Sequence, residues 1–217
     1  VGSEMCIRDS KSTVAAAMRA KAETINGVFH GAKALIDIDT TEVTHYADAP
    51  AWKKTQNIND KAEILCWPLF GLGDYVFHAS VHTAARMTAT DSDNGGCPAG
   101  SPSNKSLQID RACLADGTTV LLDLNQANYL NSNGIVTALN FIGGYVLWGN
   151  ETACFPADTD VKNYFIPVSR MFGWVANSLV LSYWSKLDKK MTRRLIDSIV
   201  NSVNIWLNGL VNEEKLL

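Results

Sequence analysis

NYLNSNGIVTALNFIGGYVLWGNETA, residues 128–153, is the stretch whose order of elements decides the fold. A short polar-faced segment closes on Leu130, and Asn133-Gly134 stops it. Glycine takes positive φ without steric cost, so the pair works as a helix stop or a turn. Residues 135–141 then form an apolar, β-branched run bounded by turn residues, which reads as a strand. Gly143-Gly144 breaks that run, and 145–148 is a second apolar strand ending on Gly149. The predicted unit is helix end, strand, glycine turn, strand, then Trp-Gly and Asn-x-Thr. Composition alone attaches no function to it.

Upstream, strands and helices alternate. Ser12 or Thr13 is placed to cap a helix through Val14, Met18 and Ile25, which Asn26-Gly27 ends. Residues 33–39 predict a strand, and 48–57 a short helix with Pro50 near its start, where proline is tolerated. Residues 62–67 predict a second strand, closed by Pro68. From 74 to about 89 the pattern is helical, with Val76, Phe77, Ala84 and Met87 on one apolar side. A loop dense in Gly, Pro, Ser and Asn fills 91–105, and 118–124 is a strand. Downstream, Ser169 is expected to cap a helix carrying Phe172, Val175, Leu179, Tyr183 and Leu187 at helical spacing. Thr192 is expected to cap another, with Leu195, Ile196, Ile199, Val203, Trp206 and Leu210. The alternation predicts an α/β layered domain with a largely parallel sheet.

Composition bounds the function. A chain of 217 residues, 47% apolar and 19% charged, buries a substantial core. Net charge is −3 with no basic block, so no cationic footprint for nucleic acid is read. The longest strongly apolar run, 175–181, is interrupted by Asn177 and Ser178 and is too short and polar to span a bilayer. Cys6, Cys66, Cys97, Cys113 and Cys154 are scattered without C-x-x-C or histidine pairing, which predicts free buried thiols in a reducing compartment. Residues 1–9, VGSEMCIRD, resemble translated sequencing-adapter read-through and are set aside, so the native N-terminus is expected to be missing.

The central stretch resembles the core signature of contractile-tail sheath proteins, found in contractile phages and phage-tail-like bacteriocins. In that family an L-N-x-x-G-I segment leads through a glycine turn to a W-G-x-x-T strand, then to a Pro-Val-x-Arg-x-Phe stretch opening a long helix. The matching residues are Leu130, Asn131, Gly134 and Ile135, then Trp148, Gly149 and Thr152, then Pro167, Val168, Arg170 and Phe172. The segment Ser103-Asn104-Lys105 also resembles the family. Three positions depart: the turn is Ile142-Gly143-Gly144 without its usual Pro and Arg, Glu151 stands where Arg is frequent, and Ser169 replaces the first of an Arg-Arg pair.

The resemblance implies a partial, non-catalytic, subtilisin-like α/β domain over 11–124. A smaller, truncated α+β C-terminal sheath domain over 125–217 would follow, ending in two helices. It implies a structural subunit that polymerises as stacked helical rings around a tail tube, alongside baseplate and tail terminator proteins. Contraction would drive the tube through a bacterial envelope. No enzyme activity, cofactor, metal, nucleic acid or membrane partner is implied. The subunit would be assembled in the host cytoplasm and reside in the virion tail. Terminal arms that add strands to a neighbour's sheet are implied for the family and are expected to lie outside this chain. A subtilisin-type serine hydrolase, and the sheath of a bacteriocin or secretion system, are the alternatives.

Several constellations invite chemistry. Asp37 and Asp39 end a strand, His78 and His82 follow another, and Ser101 or Ser103 would complete the order Asp, His, Ser. The Gly-Thr-Ser nucleophile motif is absent, so a triad is not expected. His78 and His82 have zinc-motif spacing with only Ala79, Ser80 and Val81 between them, which favours hydrogen-bonded histidines. Asp91, Asp93, Asn94 and Gly95 resemble the opening of a calcium loop but lack its closing Glu, and a solvated turn is expected. Gly71-Leu72-Gly73 lacks the Lys and Ser/Thr of a phosphate loop, and the Asn150-Glu151-Thr152 sequon is a pattern only. Trp148, Trp174, Trp184 and Trp206 are expected mainly in the core, with some at subunit contacts.

Overall fold

A computed structural model describes residues 11–216; the nine N-terminal residues set aside above, Cys6 among them, lie outside it. Helix α1 (Lys11–Glu23) leads to strand β1 (Ala34–Asp37), helix α2 (Ala49–Thr55) and strand β2 (Glu63–Cys66). Then come β3 (Leu69–Leu72), β4 (Tyr75–Phe77), helix α3 (Ala79–Asp93) and β5 (Arg111–Cys113). The central stretch supplies α4 (Leu124–Asn131), β6 (Ile135–Asn140) and β7 (Tyr145–Trp148). Helices α5 (Val161–Tyr164), α6 (Ile166–Tyr183) and α7 (Arg193–Asn212) complete the chain.

Strands β1, β2 and β6 are parallel, and β7 closes the sheet antiparallel, in the order β1-β2-β6-β7. Alternate side chains enter opposite cores. Leu65 and Ile135 join Ile36, Trp52, Trp67 and Leu130 on one side. Ile64, Cys66, Val136 and Ala138 join Phe70, Met87, Leu147 and Ile166 on the other. A sheet covered on both faces explains why its strands read as continuous apolar runs rather than alternating ones. The expected boundary at 124/125 falls within this sheet, because β1 and β2 precede it and β6 and β7 follow.

A second, antiparallel sheet has the order β4-β3-β5. Its β4 occupies residues expected to be helical. Leu72 pairs with Tyr75 across a two-residue turn, where Gly73 takes φ 57°. A glycine at that position matches a tight hairpin, and the aromatic and β-branched run Tyr75-Val76-Phe77 extends rather than coils. Helix therefore starts only at Ala79 and runs on to Asp93, into the expected loop.

Other expectations need correction. Thr13 lies inside α1 rather than at its cap, and α1 stops before Ile25, which bridges to Phe29 around Asn26-Gly27. Residues 118–123 form no strand; Val120 N donates to Ala112 O, and Asp123 opens α4 with a capping box to Gln126. Ser169 is not a cap, because α6 starts at Ile166 with Pro167 in its first turn, and Ser169 is buried inside the helix. Proline fits there because the first-turn N–H groups have no helical partner. Thr192 does cap α7, accepting from Leu195 N at 3.2 Å.

Helices α6 and α7 pack through Met171, Leu210 and Cys97, with Trp174 and Trp206 ring to ring at 5.7 Å. Leu179 and Ile199 are only half-buried. Against the sheet side, α6 meets the 26–33 loop at a glycine crossing. A Cβ built on Gly173 would stand 2.6 Å from Gly31 Cα, so the two backbones touch. Asn177 locks the contact, accepting from His30 N at 3.0 Å and donating to His30 O at 2.8 Å.

Candidate functional site

The signature residues converge on a joint between the sheet and the helix pair. Gly134, at φ 68°, lies under the 152–155 turn so closely that a Cβ would sit 2.6 Å from Thr152 O and 2.8 Å from Phe155 O. Thr152 is fully buried; its N–H donates to Tyr164 O at 2.7 Å and its hydroxyl to Asn163 O at 3.0 Å. Ala153 N donates to Glu63 O on β2 at 2.8 Å. At the end of β7, Trp148 Nε1 donates to Asn128 Oδ1 at 2.9 Å. Gly149 N donates to Ser103 Oγ at 3.1 Å, and a Cβ on Gly149 would lie 3.0 Å from Val136 Cα. Ile166 N, opening α6, donates to Asn150 O at 2.9 Å. Arg170 then forks onto Asp91 of α3, with Nη1 2.9 Å from Oδ1 and Nη2 on Oδ2. A bidentate, charge-assisted pair fixes direction as well as distance. Phe172 of the same motif faces solvent, 58% exposed.

Two lysines brace the joint from below. Lys53, only 7% exposed, donates to Asn133 O and to Phe155 O at 2.7 Å. Lys33 donates to Lys61 O at 2.7 Å and to Ser169 Oγ. Burial is the main influence on both ammonium groups and lowers each to about 8. The unfolded chain keeps its lysines near 10.5, so above pH 8 unfolding takes up protons and stability rises with pH. Cys66 and the other buried thiols are pushed up from 9.0 by burial, which reverses the trend at higher pH. The urea midpoint is therefore expected to rise from neutral pH to pH 9, and to rise less in Lys53→Met. An equal slope in the two proteins would contradict the assignment.

The Asp, His, Ser order does not assemble into a triad. Asp37 accepts from Ser80 N at 2.8 Å and from Ser80 Oγ at 2.5 Å. Asp37 thereby caps α3 from the end of β1, because the N-cap residue His78 makes no cap hydrogen bond of its own. Burial pushes the Asp37 carboxyl above the usual carboxylate range, against the pull of the Ser80 hydrogen bonds and of His78. His78 Nδ1 stands 3.5 Å from Asp37 Oδ2 without hydrogen-bond alignment. Ser103 Oγ accepts from Gly149 N, and Ser101 Oγ accepts from Ser103 N at 3.2 Å. Neither serine is hydrogen-bonded to His78.

The other candidates make packing and ion-pair contacts. His82 meets Phe70 and Phe77 edge-on at 5.7 and 5.5 Å, and burial lowers its pKa. Asp91 and Asp93 belong to the last turn of α3, Asp91 on Arg170 and Asp93 3.8 Å from Arg86. No group of three metal-ligating side chains occurs among the described residues. Cys66, Cys97, Cys113 and Cys154 are free and buried. Trp174 and Trp206 are half-buried against each other, whereas Trp184 is exposed. Sequence reasoning missed Lys33, Lys53 and Ser80, whose roles depend on contacts 43 or more residues away.

Known proteins place this geometry. No protein-family profile matches the chain. Over 96 residues, 43% of the chain and 20% of the relative, it is 38% identical to the tail sheath protein of Burkholderia phage BcepMu. The contracted sheath complex of the PVC extracellular contractile injection system superimposes with a TM-score of 0.73 at 16% identity. That match covers 95% of this chain and 54% of the other. The contracted helical sheath of the anti-feeding prophage gives 0.70 at 19% identity, over 93% of this chain and 51% of that one. The chain thus spans about half the length of the sheath structures it matches. The chain is similar in sequence to a tail sheath protein over the aligned segment, and shares the fold of contractile sheath subunits over nearly its whole length.

Proposed function

We propose that the protein containing this chain is a structural subunit of a contractile sheath. Copies stack helically around a tail tube, attach to a baseplate at one end and a terminator at the other, and contract to drive the tube through a bacterial envelope. The observation that carries the reading is the Gly134–Thr152 joint. It packs the start of β6 under the 152–155 turn through main-chain contacts too close for any side chain, and Ile166 N ties the start of α6 to Asn150 O beside it. Such a joint transmits force between a layered body and a helix pair without a hinge. We take 125–217 as the start of the C-terminal sheath unit, docked on the shared sheet. The reading as a hydrolase lacks support, because Asp37 is spent on capping α3 and neither Ser101 nor Ser103 is hydrogen-bonded to His78. Energy for contraction is stored in the array at assembly, with no cofactor or nucleotide, and the particle is a virion tail built in the host cytoplasm. A bacteriocin or secretion-system sheath would use the same joint. Antibodies against this chain are expected to label tail particles along the outer cylinder in immunogold microscopy. Label confined to one end, or absent from particles, would contradict the proposal.

A further inference from the structure

The α6–α7 hairpin ends in a surface unlike the rest of the molecule. Residues 186–194 carry five of the chain's 19 Lys and Arg, namely Lys186, Lys189, Lys190, Arg193 and Arg194, with Asp188 as the sole acid. That leaves 14 cationic against 21 acidic side chains elsewhere. All five are exposed, and none makes an ion pair among the described residues. Apolar groups stand among them: Trp184, Leu187 and Met191 are 58, 59 and 76% exposed. Aromatic, methionine and arginine side chains are enriched at interfaces, and the lysines around them suit a polar rim.

A surface of the opposite kind lies on the β3–β4 hairpin. Tyr75 and Phe77 are exposed there on β4, an edge strand of its sheet, and Leu72 is exposed beside them on β3. Asp74 occupies its turn, and Asp110 accepts from Gly73 N at 2.6 Å, both carboxylates exposed. Arg111 donates to Gly73 O and to Asp110, offsetting one of the two charges. Neighbouring His82 is held towards its neutral form by burial and does not oppose the acids. Among the described residues, no hydrogen bond or ion pair links the two hairpins within one chain.

We propose that the α6–α7 tip of one copy docks on the β3–β4 hairpin of a second copy. The lysines at 186, 189 and 190 meet Asp74 and Asp110, and Trp184 and Leu187 cover Tyr75 and Phe77. Because the two patches differ, the contact is heterologous, the type that builds rings or open helical arrays rather than two-fold dimers. It rests on the reading of the chain as a repeating subunit. A single such contact is weak and strengthens by repetition.

The test mixes isotope-labelled and unlabelled chain with a zero-length carbodiimide cross-linker. Mixed-isotope peptides joining Lys189 or Lys190 to Asp74 or Asp110 are expected, and about tenfold fewer in 1 M salt, where the screening length is about 3 Å. Lys189→Glu with Lys190→Glu should abolish them. Mixing that variant with Asp74→Lys, Asp110→Lys chain should restore the link with reversed chemistry. Cross-links confined to other carboxylates, or unchanged by charge reversal, would overturn the contact. So would pelleting of the chain on phosphatidylglycerol vesicles without any self-cross-link, which would make the tip a lipid anchor. Normal cylinders from whole protein carrying the two Glu substitutions would overturn this contact alone. Absence of cylinders from the unmodified whole protein would instead count against the sheath reading.

Discussion

Gly134→Ala is expected to cost about 3 kcal/mol or more of folding stability, through two separable effects. The first is conformational: at φ 68° an L side chain crowds its own backbone, worth roughly 1–2 kcal/mol. The second is contact, because the new methyl would lie 2.6 Å from Thr152 O, 2.8 Å from Phe155 O and 3.0 Å from Lys53 Nζ. None of these neighbours moves freely. Thr152 is tied to Asn163 and Tyr164, and Phe155 O holds the Lys53 ammonium. Asparagine tolerates positive φ better than alanine but brings the same Cβ. Gly134→Asn should therefore recover part of the loss and no more. Urea unfolding of the three proteins checks this, and a loss below about 1 kcal/mol for Gly134→Ala would contradict the joint.

A second large effect has the opposite sign from what local propensity suggests. Gly173 sits inside α6, where alanine is ordinarily better by about 1 kcal/mol. Here its Cβ would stand 2.6 Å from Gly31 Cα and 3.0 Å from His30 O, both main-chain atoms. Gly173→Ala must push α6 off the 26–33 loop and stretch the Asn177 fork on His30. A net loss of about 2–3 kcal/mol is expected. Gly209 in α7 is the internal control: a Cβ there meets nothing within 4 Å. Gly209→Ala should stabilise by up to about 1 kcal/mol. The same sign for both substitutions would refute the glycine crossing.

These two glycines mark the limit of what the chain alone discloses. Gly134 stood out in the sequence because Asn133-Gly134 interrupts a helix just before an apolar run, a local signal. Gly173 gave none, since its partner is Gly31, far away in the chain. The parallel strands β1, β2 and β6 were legible because burial on both faces leaves unbroken apolar runs. Strand β4 was not, since Val76 and Phe77 fit a helical stripe as well as an edge strand once Ala84 and Met87 follow. Ser169 looked like a cap, but Pro167 and the Phe165 turn start α6 four residues earlier. Asp37 was recognisable as a strand-end carboxylate. Its role as a tertiary cap was not, because that depends on Ser80 arriving from another element. The cationic tip was overlooked because a net charge of −3 averages five clustered cations over the whole chain.

The central claim is tested most directly by expressing the whole protein and imaging the product by electron cryomicroscopy. The account predicts hollow, helically ordered cylinders. A map of their wall should repeat the fold of residues 11–216 once per subunit, with Gly134 packed under Thr152 and Arg170 forked onto Asp91. A soluble monomer, with or without the neighbouring tube protein, or a cylinder wall into which this fold does not fit, would contradict it.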